Sequence, residues 1–311
     1  MRTSFRRLSL SGVALALGMG GILLADVPGS HSQSISGSVF SYVVAAGDSL
    51  SSIGARVGVD RAVLARANGI PPNARLRAGD TLIVDNRHVV PPREPHETVL
   101  INIPQRMLFR FEADRLAAAH PVAVGRPTWP TPEGPFTITA KEADPCWDVP
   151  LSIQEELRRA GKPAPTRVPP GPTNPLGAHW LRTSLPSIGL HGTPAPLSIY
   201  RAVTHGCIRL HPDDAAALFE HVPVGAAGRF VYAPVLLART DAGVFLEVNH
   251  DIYGRAGAAG EHLVRALARQ AGLIEAIDWD TVRRVLAARD GVARYVGGNH
   301  GGRGTLGNHV E

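Results

Sequence analysis

Residues 203–210 read VTHGCIRL and place Cys207 directly behind Thr-His-Gly, in a chain with two cysteines in all. Just upstream, IGLHGT at 188–193 supplies His191. A thiol beside an imidazole is the minimum apparatus for acyl transfer. The base takes the proton, the thiolate attacks a carbonyl, and the imidazolium returns a proton to the leaving amine. The oxyanion that forms needs N–H donors. The backbone at Gly206 and Cys207 can supply them, with Gly206 permitting an unusual turn. The same residue types admit other readings. Cys207 could be an inert buried thiol, half of a disulfide with Cys146 in an oxidising compartment, or a zinc ligand with His191, His205 and His211. Against zinc, His205 and Cys207 stand only two apart, without the usual paired ligand spacing.

For His191 and Cys207 to meet, Ile188–Leu190 and Ile208–Leu210 must be neighbouring strands with both side chains at one end of the sheet. Strand-like segments TVLINI (98–103), MLFRF (107–111), HPVAVG (120–125) and FTITA (136–140) alternate with Gly/Pro-rich turns, which predicts a mainly β domain, a sandwich or a barrel. LSIQEELRRAG (151–161) predicts a short helix ended by Gly161. The proline-rich KPAPTRVPPGPTNPLG (162–177) is a long loop of the kind that covers a site. Asp213 and Asp214 open a helix through Phe219, where they suit its dipole and read as structural.

Residues 41–84 form a separate strand–helix–helix–strand unit. Asp48 can N-cap a helix carrying Leu50, Ile53 and Val57, Gly58 ends it, Asp60 caps a second, and TLIV closes the unit. The proline-rich 86–96 suits a semi-rigid linker. Beyond 235, VLLARTDAGVFLEVNHDIY predicts a hairpin turning at Asp241-Ala242-Gly243. Two helices follow to about 290, and 291–311 reads as a disordered tail. At the other end, Arg2, Arg6 and Arg7 precede the apolar Leu8–Ala25, so residues 1–30 read as a cleaved export signal or an uncleaved anchor. The chain has 311 residues and a net charge of +5, carried almost wholly by arginine, since Lys141 and Lys162 are its only lysines. The arginines are scattered and no aromatics interleave them, so no nucleic-acid partner is expected.

Two resemblances give these parts a name. TPEGPFTI (131–138), PPGPTNPLG (169–177), HGT and THGCIRL occur in the order of the L,D-transpeptidase (YkuD-like) catalytic domain, over roughly residues 97–235. YVVAAGDSLSSIGARVGVDRAVLARANGI…LRAGDTLIV resembles a LysM module, placed at 40–85. The first resemblance implies a β-sandwich-like L,D-transpeptidase fold that needs no cofactor and no metal. Its reaction has two steps: a cysteine attacks the L-centre carbonyl of the stem-peptide diamino acid and releases D-alanine, then an amine resolves the thioester. Carried over by motif, Cys207 is the nucleophile, His191 the proton donor and acceptor, and His205 an orienting or tuning residue. Gly206 and Cys207 lend backbone to the oxyanion. Arg209 is either a contact to a substrate carboxylate or half of a structural ion pair, and Thr204 falls beside the substrate, replacing the commoner serine. Tyr200 stands where the family usually has glycine, a departure expected to reshape the rim of the groove.

The LysM resemblance implies glycan contacts at Gly47, Asp48, Ser49, Gly69 and Ile70. The implied partner is peptidoglycan, with glycan strands at the LysM module, stem peptides at Cys207 and an envelope lipoprotein as an alternative acceptor. A membrane enters only if the N-terminal segment is uncleaved. The implied place is the periplasm or cell envelope. Alternatives stand beside this reading: a carboxypeptidase or endopeptidase in which water resolves the thioester, and a non-catalytic wall-binding protein. A papain-like peptidase would place cysteine before histidine, the reverse of the order here.

Overall fold

The structure is a computed structural model that describes residues 34–255 and 260–297. The segment expected for export and residues 298–311 lie outside the described residues. The chain opens with β1 (Ile35–Ser36), β2 (Val39–Val43), α1 (Leu50–Val57), α2 (Arg61–Ala67), β3 (Thr81–Asp85) and β4 (His88–Val89). β2 pairs antiparallel with β3, and the helices bury Leu50, Ile53, Val63 and Leu64 against Leu82 and Val84. The helix start differs by one residue from the sequence expectation. Ser49 is the N-cap of α1, in a reciprocal capping box with Ser52. The Asp48 carboxylate instead accepts from Tyr42 Oη at 2.8 Å and from the Ala45 amide at 2.9 Å, which holds the turn ahead of the helix. Gly58, at φ +76°, closes α1, and Asp60 caps α2.

The next part runs β5 (Val99–Asn102), β6 (Met107–Glu112), β7 (Arg115–Gly125), β8 (Gly134–Ala143), β9 (Trp147–Asp148), α3 (Leu151–Arg159), β10 (Arg167–Val168), β11 (His179–Thr183), β12 (Gly189–His191), β13 (Ala202–Thr204), β14 (Ile208–Leu210), α4 (Pro212–His221) and β15 (Ala227–Val231). Two long strands serve two layers. β7 pairs with β6 along its first half and with β14 at Val122 and Ala123. β8 pairs with β15 through Gly134–Thr137 and with β11 from Ile138 onward. The ladder therefore closes on itself, and the two layers face each other as in a sandwich. Val99, Ile101, Leu108, Phe136 and Phe230 meet Ile138, Leu181, Leu190, Ile208 and Leu210 between them. α4 packs Ala215 and Leu218 onto this core, with Asp213 and Asp214 in its first turn as expected.

The chain ends with β16 (Val235–Thr240), β17 (Gly243–Val248), α5 (Glu261–Gln270), α6 (Trp279–Ala288) and β18 (Arg294–Gly297). β18 corrects the reading of a disordered tail from 291, for residues 291–297. It pairs antiparallel with β17, and Val292, Ala293 and Val296 are buried. Val292, Ala293 and Val296 have a sheet edge to cover, and that outweighs the flanking glycines.

Residues 86–96 are also more than the semi-rigid linker their prolines suggested, since their first residues are packed into the body. Glu247 of β17 is fully buried, 0 % exposed, and His88 is 1 % exposed. The Glu247 carboxylate accepts from His88 Nδ1 (3.1 Å), the Val89 amide (2.7 Å), Gln105 Nε2 (2.8 Å) and Asn249 Nδ2 (3.0 Å). The other ring nitrogen, His88 Nε2, lies 3.0 Å from the carbonyl of Gly58 at the end of α1. Both ring nitrogens thus face oxygen acceptors. One carboxylate therefore joins the small N-terminal unit, the connecting segment, the β body and the C-terminal hairpin. Arg56 of α1 adds contacts to His211 Nε2 (2.9 Å) and Asp213 (3.3 Å), and Arg66 pairs with Asp290 at 3.3 Å.

Candidate active site

β12 and β14 are parallel neighbours, with Leu190 level with Ile208 and His191 level with Arg209. Leu190, Ile208 and Leu210 are buried in the core. By the two-residue period of a strand, Gly189, His191, Cys207 and Arg209 share the opposite face. The expected juxtaposition of the IGLHGT and THGCIRL segments is therefore present. Cys207 Sγ donates to the Ser187 carbonyl at 3.4 Å. Ser187 sits at φ +61°, a conformation that non-glycine residues rarely adopt, in the turn between β11 and β12. Both cysteines are free, so no bridge joins Cys146 to Cys207.

Burial sets the protonation of this pair. It pushes the His191 imidazole down to about 4, the Arg209 guanidinium adds to the shift, and the Gly192 and Leu176 backbones oppose it. The ring is neutral at pH 7, with Nδ1 donating to the Gly192 carbonyl at 2.6 Å, which leaves Nε2 as the basic nitrogen. Burial also pushes the Cys207 thiol up, against the lowering effects of the Gly189 backbone and Arg209. A protonated thiol that needs a base thus shares a sheet face with an imidazole that can act as one. Arg209 donates to Ser198 Oγ at 3.1 Å, and among the described residues no carboxylate pairs with it, so the ion-pair alternative for this residue is not what the structure holds.

His205 points to a different set of groups. Its Nε2 donates to Glu156 Oε2 at 3.0 Å, Arg126 pairs with the same oxygen at 2.5 Å, and its ring packs edge-on to Trp129. Hydrogen bonds from Arg126 and His205 hold the Glu156 carboxyl below the usual range. Glu156 lies on α3, so the helix over 151–159 is fastened to the loop that carries the thiol. His211 faces Arg56 and Asp213.

Below the loop, Thr204 Oγ1 donates to the Cys207 carbonyl (2.6 Å) and accepts from the Gly206 amide (3.2 Å). That amide, assigned from sequence to an oxyanion, is already engaged by a hydroxyl. Thr204 itself is buried and braces the loop from within, so its expected substrate contact is not where the structure places it. Gly206 takes φ +106°, and its carbonyl accepts from Thr131 Oγ1 at 2.8 Å. Tyr253, from beyond β17, donates to the Gly125 carbonyl and accepts from the Thr131 amide, bracing the same loop.

Tyr200 also departs from expectation. Its backbone sits at φ +61°, as a glycine position would, but its ring is buried against Arg106, 4.1 Å from guanidinium to centroid, and not at a groove rim. The connecting segment and residue 291 close over it, with His88 nearby.

Residues 96–236 match the L,D-transpeptidase catalytic domain family and residues 42–85 the LysM domain family. The chain is 32% identical over 180 residues to the probable L,D-transpeptidase YbiS of Escherichia coli, covering 57% of this chain and 58% of that one. It is 32% identical to the putative L,D-transpeptidase YkuD of Bacillus licheniformis over 187 residues, which are 59% of this chain and 94% of the relative. The chain belongs to the YkuD L,D-transpeptidase family. An L,D-transpeptidase from Mycobacterium smegmatis aligns in structure with TM-score 0.35 and 26% identity, over 43% of this chain and 57% of that one. The chain spans 58% of the length of the E. coli relative.

Within this YkuD-family chain, sequence reasoning missed Glu156 and Arg126. Their signal was faint: an acidic residue in a helix followed by a proline-rich loop. The residues assigned to glycan are mostly occupied within the LysM module. Asp48 and Ser49 hold the turn and cap described above, and Ile70 packs on the module's core. Gly47 and Gly69, at φ +88° and +65°, are exposed turn residues with open space beside them.

Proposed function

We propose that this protein is a peptidoglycan L,D-transpeptidase of the cell envelope in which Cys207 is the nucleophile and His191 the base. The observation that carries the reading is the shared face of β12 and β14, where a neutral buried imidazole and a protonated thiol stand with Arg209. His191 takes the thiol proton, and Cys207 Sγ attacks the L-centre carbonyl of the stem-peptide diamino acid. The Cys207 amide donates to the oxyanion, the Gly206 amide being held by Thr204. Collapse of the intermediate expels D-alanine, whose nitrogen takes the proton back from His191. An acceptor amine then attacks the thioester and loses a proton to His191, which gives the new amide and restores the thiol.

Arg209 favours the thiolate and disfavours the imidazolium, so it assists attack and hastens proton return to the leaving amine. His205 is a positioning residue that ties the thiol's loop to α3 through Glu156. The LysM module offers the exposed turns at Gly47 and Gly69 to glycan. Because the module is fastened by His88, Arg56 and Arg66, it presents glycan at a fixed distance from the thiol. The acceptor is the amine of a second stem or of an envelope lipoprotein. Incubation with disaccharide-tetrapeptide and product analysis by mass tests this. Crosslinked dimer with equimolar D-alanine is the expected result; tripeptide alone would make the protein a hydrolase.

A further inference from the structure

The loop that carries the thiol is held from outside the catalytic domain. Residues 96–236 match the catalytic family, and Tyr253 lies beyond them, in the segment after β17. Tyr253 is fixed through its backbone and its ring. Its amide donates to Tyr232 Oη at 2.7 Å, the two rings stack, and the neighbouring Arg255 donates to Glu133 at 2.7 Å. Burial pushes the Tyr253 phenol up, so the hydroxyl stays a donor across the neutral range. That hydroxyl donates to the Gly125 carbonyl at 2.7 Å and accepts from the Thr131 amide at 3.1 Å. Gly125 ends β7, and the following turn packs so closely on it that a Cβ there would come within 2.3 Å of the Trp129 carbonyl. Thr131 is fully buried. Its Oγ1 accepts from the Gly125 amide at 2.9 Å and donates to the Gly206 carbonyl at 2.8 Å.

The last of these bonds bears on catalysis. The Gly206 carbonyl and the Cys207 amide belong to one peptide unit, planar and trans, so the N–H points opposite to the C=O. Gly206, at φ +106°, has no Cβ to restrict rotation of that unit. Thr204 holds the peptide units on either side, and Thr131 holds this one. We infer that Thr131, fixed in turn by Tyr253, aims the Cys207 amide at the oxyanion, which makes the C-terminal extension a positioning element of the active site. This role rests on the proposed function, in which that amide stabilises the oxyanion. A donor aimed before the substrate arrives needs no reorganisation as the charge forms. Without the Thr131 hydroxyl the peptide unit is free to turn, and the N–H leaves its line.

The test compares two reactions of the same thiol in the full chain. Acylation by disaccharide-tetrapeptide passes through an oxyanion, whereas alkylation by iodoacetamide displaces iodide at a saturated carbon and forms none. Both draw on the thiolate, so the ratio of their rate constants removes any change in the thiol itself. Thr131→Val should lower the ratio about 10- to 100-fold, the scale for a misplaced oxyanion donor. Thr131→Ser keeps the hydroxyl and should stay near wild type. Tyr253→Phe should lower the ratio in the same direction by a smaller factor. A Thr131→Val ratio equal to that of the wild type overturns the inference, including the case in which both reactions slow together, because Thr131 would then hold only the thiol or the fold. Should Thr131→Val not fold, Tyr253→Phe decides alone, and an unchanged ratio there overturns the part given to the C-terminal extension. If wild-type Cys207 is alkylated but never acylated, the proposed function fails first, an outcome distinct from an unchanged ratio.

Discussion

His191→Gln is expected to slow acylation of Cys207 by about 100- to 10,000-fold, the usual contribution of a positioned general base. The pH profile should change shape as well as height. In the wild type the imidazole is neutral above about 4, so it can accept the thiol proton across the whole neutral range. Acylation should therefore be nearly flat from there to the alkaline range where the thiol, raised above its ordinary 9.0, ionises unaided. Without the base, only thiol that has already ionised reacts. The variant's rate should then rise about tenfold per pH unit until the thiol titrates. Stopped-flow acylation by a stem-peptide analogue across that range would show it. A variant that keeps the flat profile would remove His191 from the mechanism.

The same burial makes folding sensitive to acid. An unfolded imidazole titrates at the ordinary 6.5 and the folded one at about 4, so the unfolded chain binds the extra proton between them. Stability contributed by neutral His191 is complete above 6.5 and is lost as pH falls towards 4, by up to about 3 kcal/mol.

Glu247→Ala is expected to cost about 3–5 kcal/mol, because removing one partner of a buried pair leaves the other uncompensated. Here His88, Val89, Gln105 and Asn249 all lose their acceptor, and none is exposed enough to recruit water freely. The loss should not be uniform. His88 joins Glu247 to the Gly58 carbonyl at the end of α1, so the LysM module should loosen before the sandwich does. Urea denaturation measures the total, and limited proteolysis across residues 86–96 reports the loosening. Glu247→Gln keeps the shape and should lose less. A Glu247→Ala protein within about 1 kcal/mol of wild type, with that segment still resistant, would contradict the clamp.

The sequence made the thiol–imidazole face legible because its residues sit in short motifs on adjacent strands, and strand period alone places His191 and Cys207 on one side. The LysM unit was legible for a similar reason: its caps and turns are local, and Ser49 for Asp48 shifts one boundary only. What stayed hidden depends on partners far apart in the chain. Glu156 lies 49 residues from His205, in a helix that reads simply as a cover for the site. Glu247 sits in an apolar strand, VFLEV, and its partners come from separate segments, so no window of sequence contains them. Tyr200 was noticed as a departure but given the wrong neighbours, since the segment that buries it had been read as a spacer. β18 was masked by its glycines, and only the free edge of β17 explains it.

The central claim is that Cys207 carries an acyl group during turnover. Mass spectrometry of the protein after incubation with disaccharide-tetrapeptide under reducing conditions tests it most directly. The account predicts a stem-peptide adduct, minus D-alanine, on the peptide containing Cys207, absent from Cys207→Ala. D-Alanine release with no adduct on Cys207, and undiminished in Cys207→Ala, would contradict it.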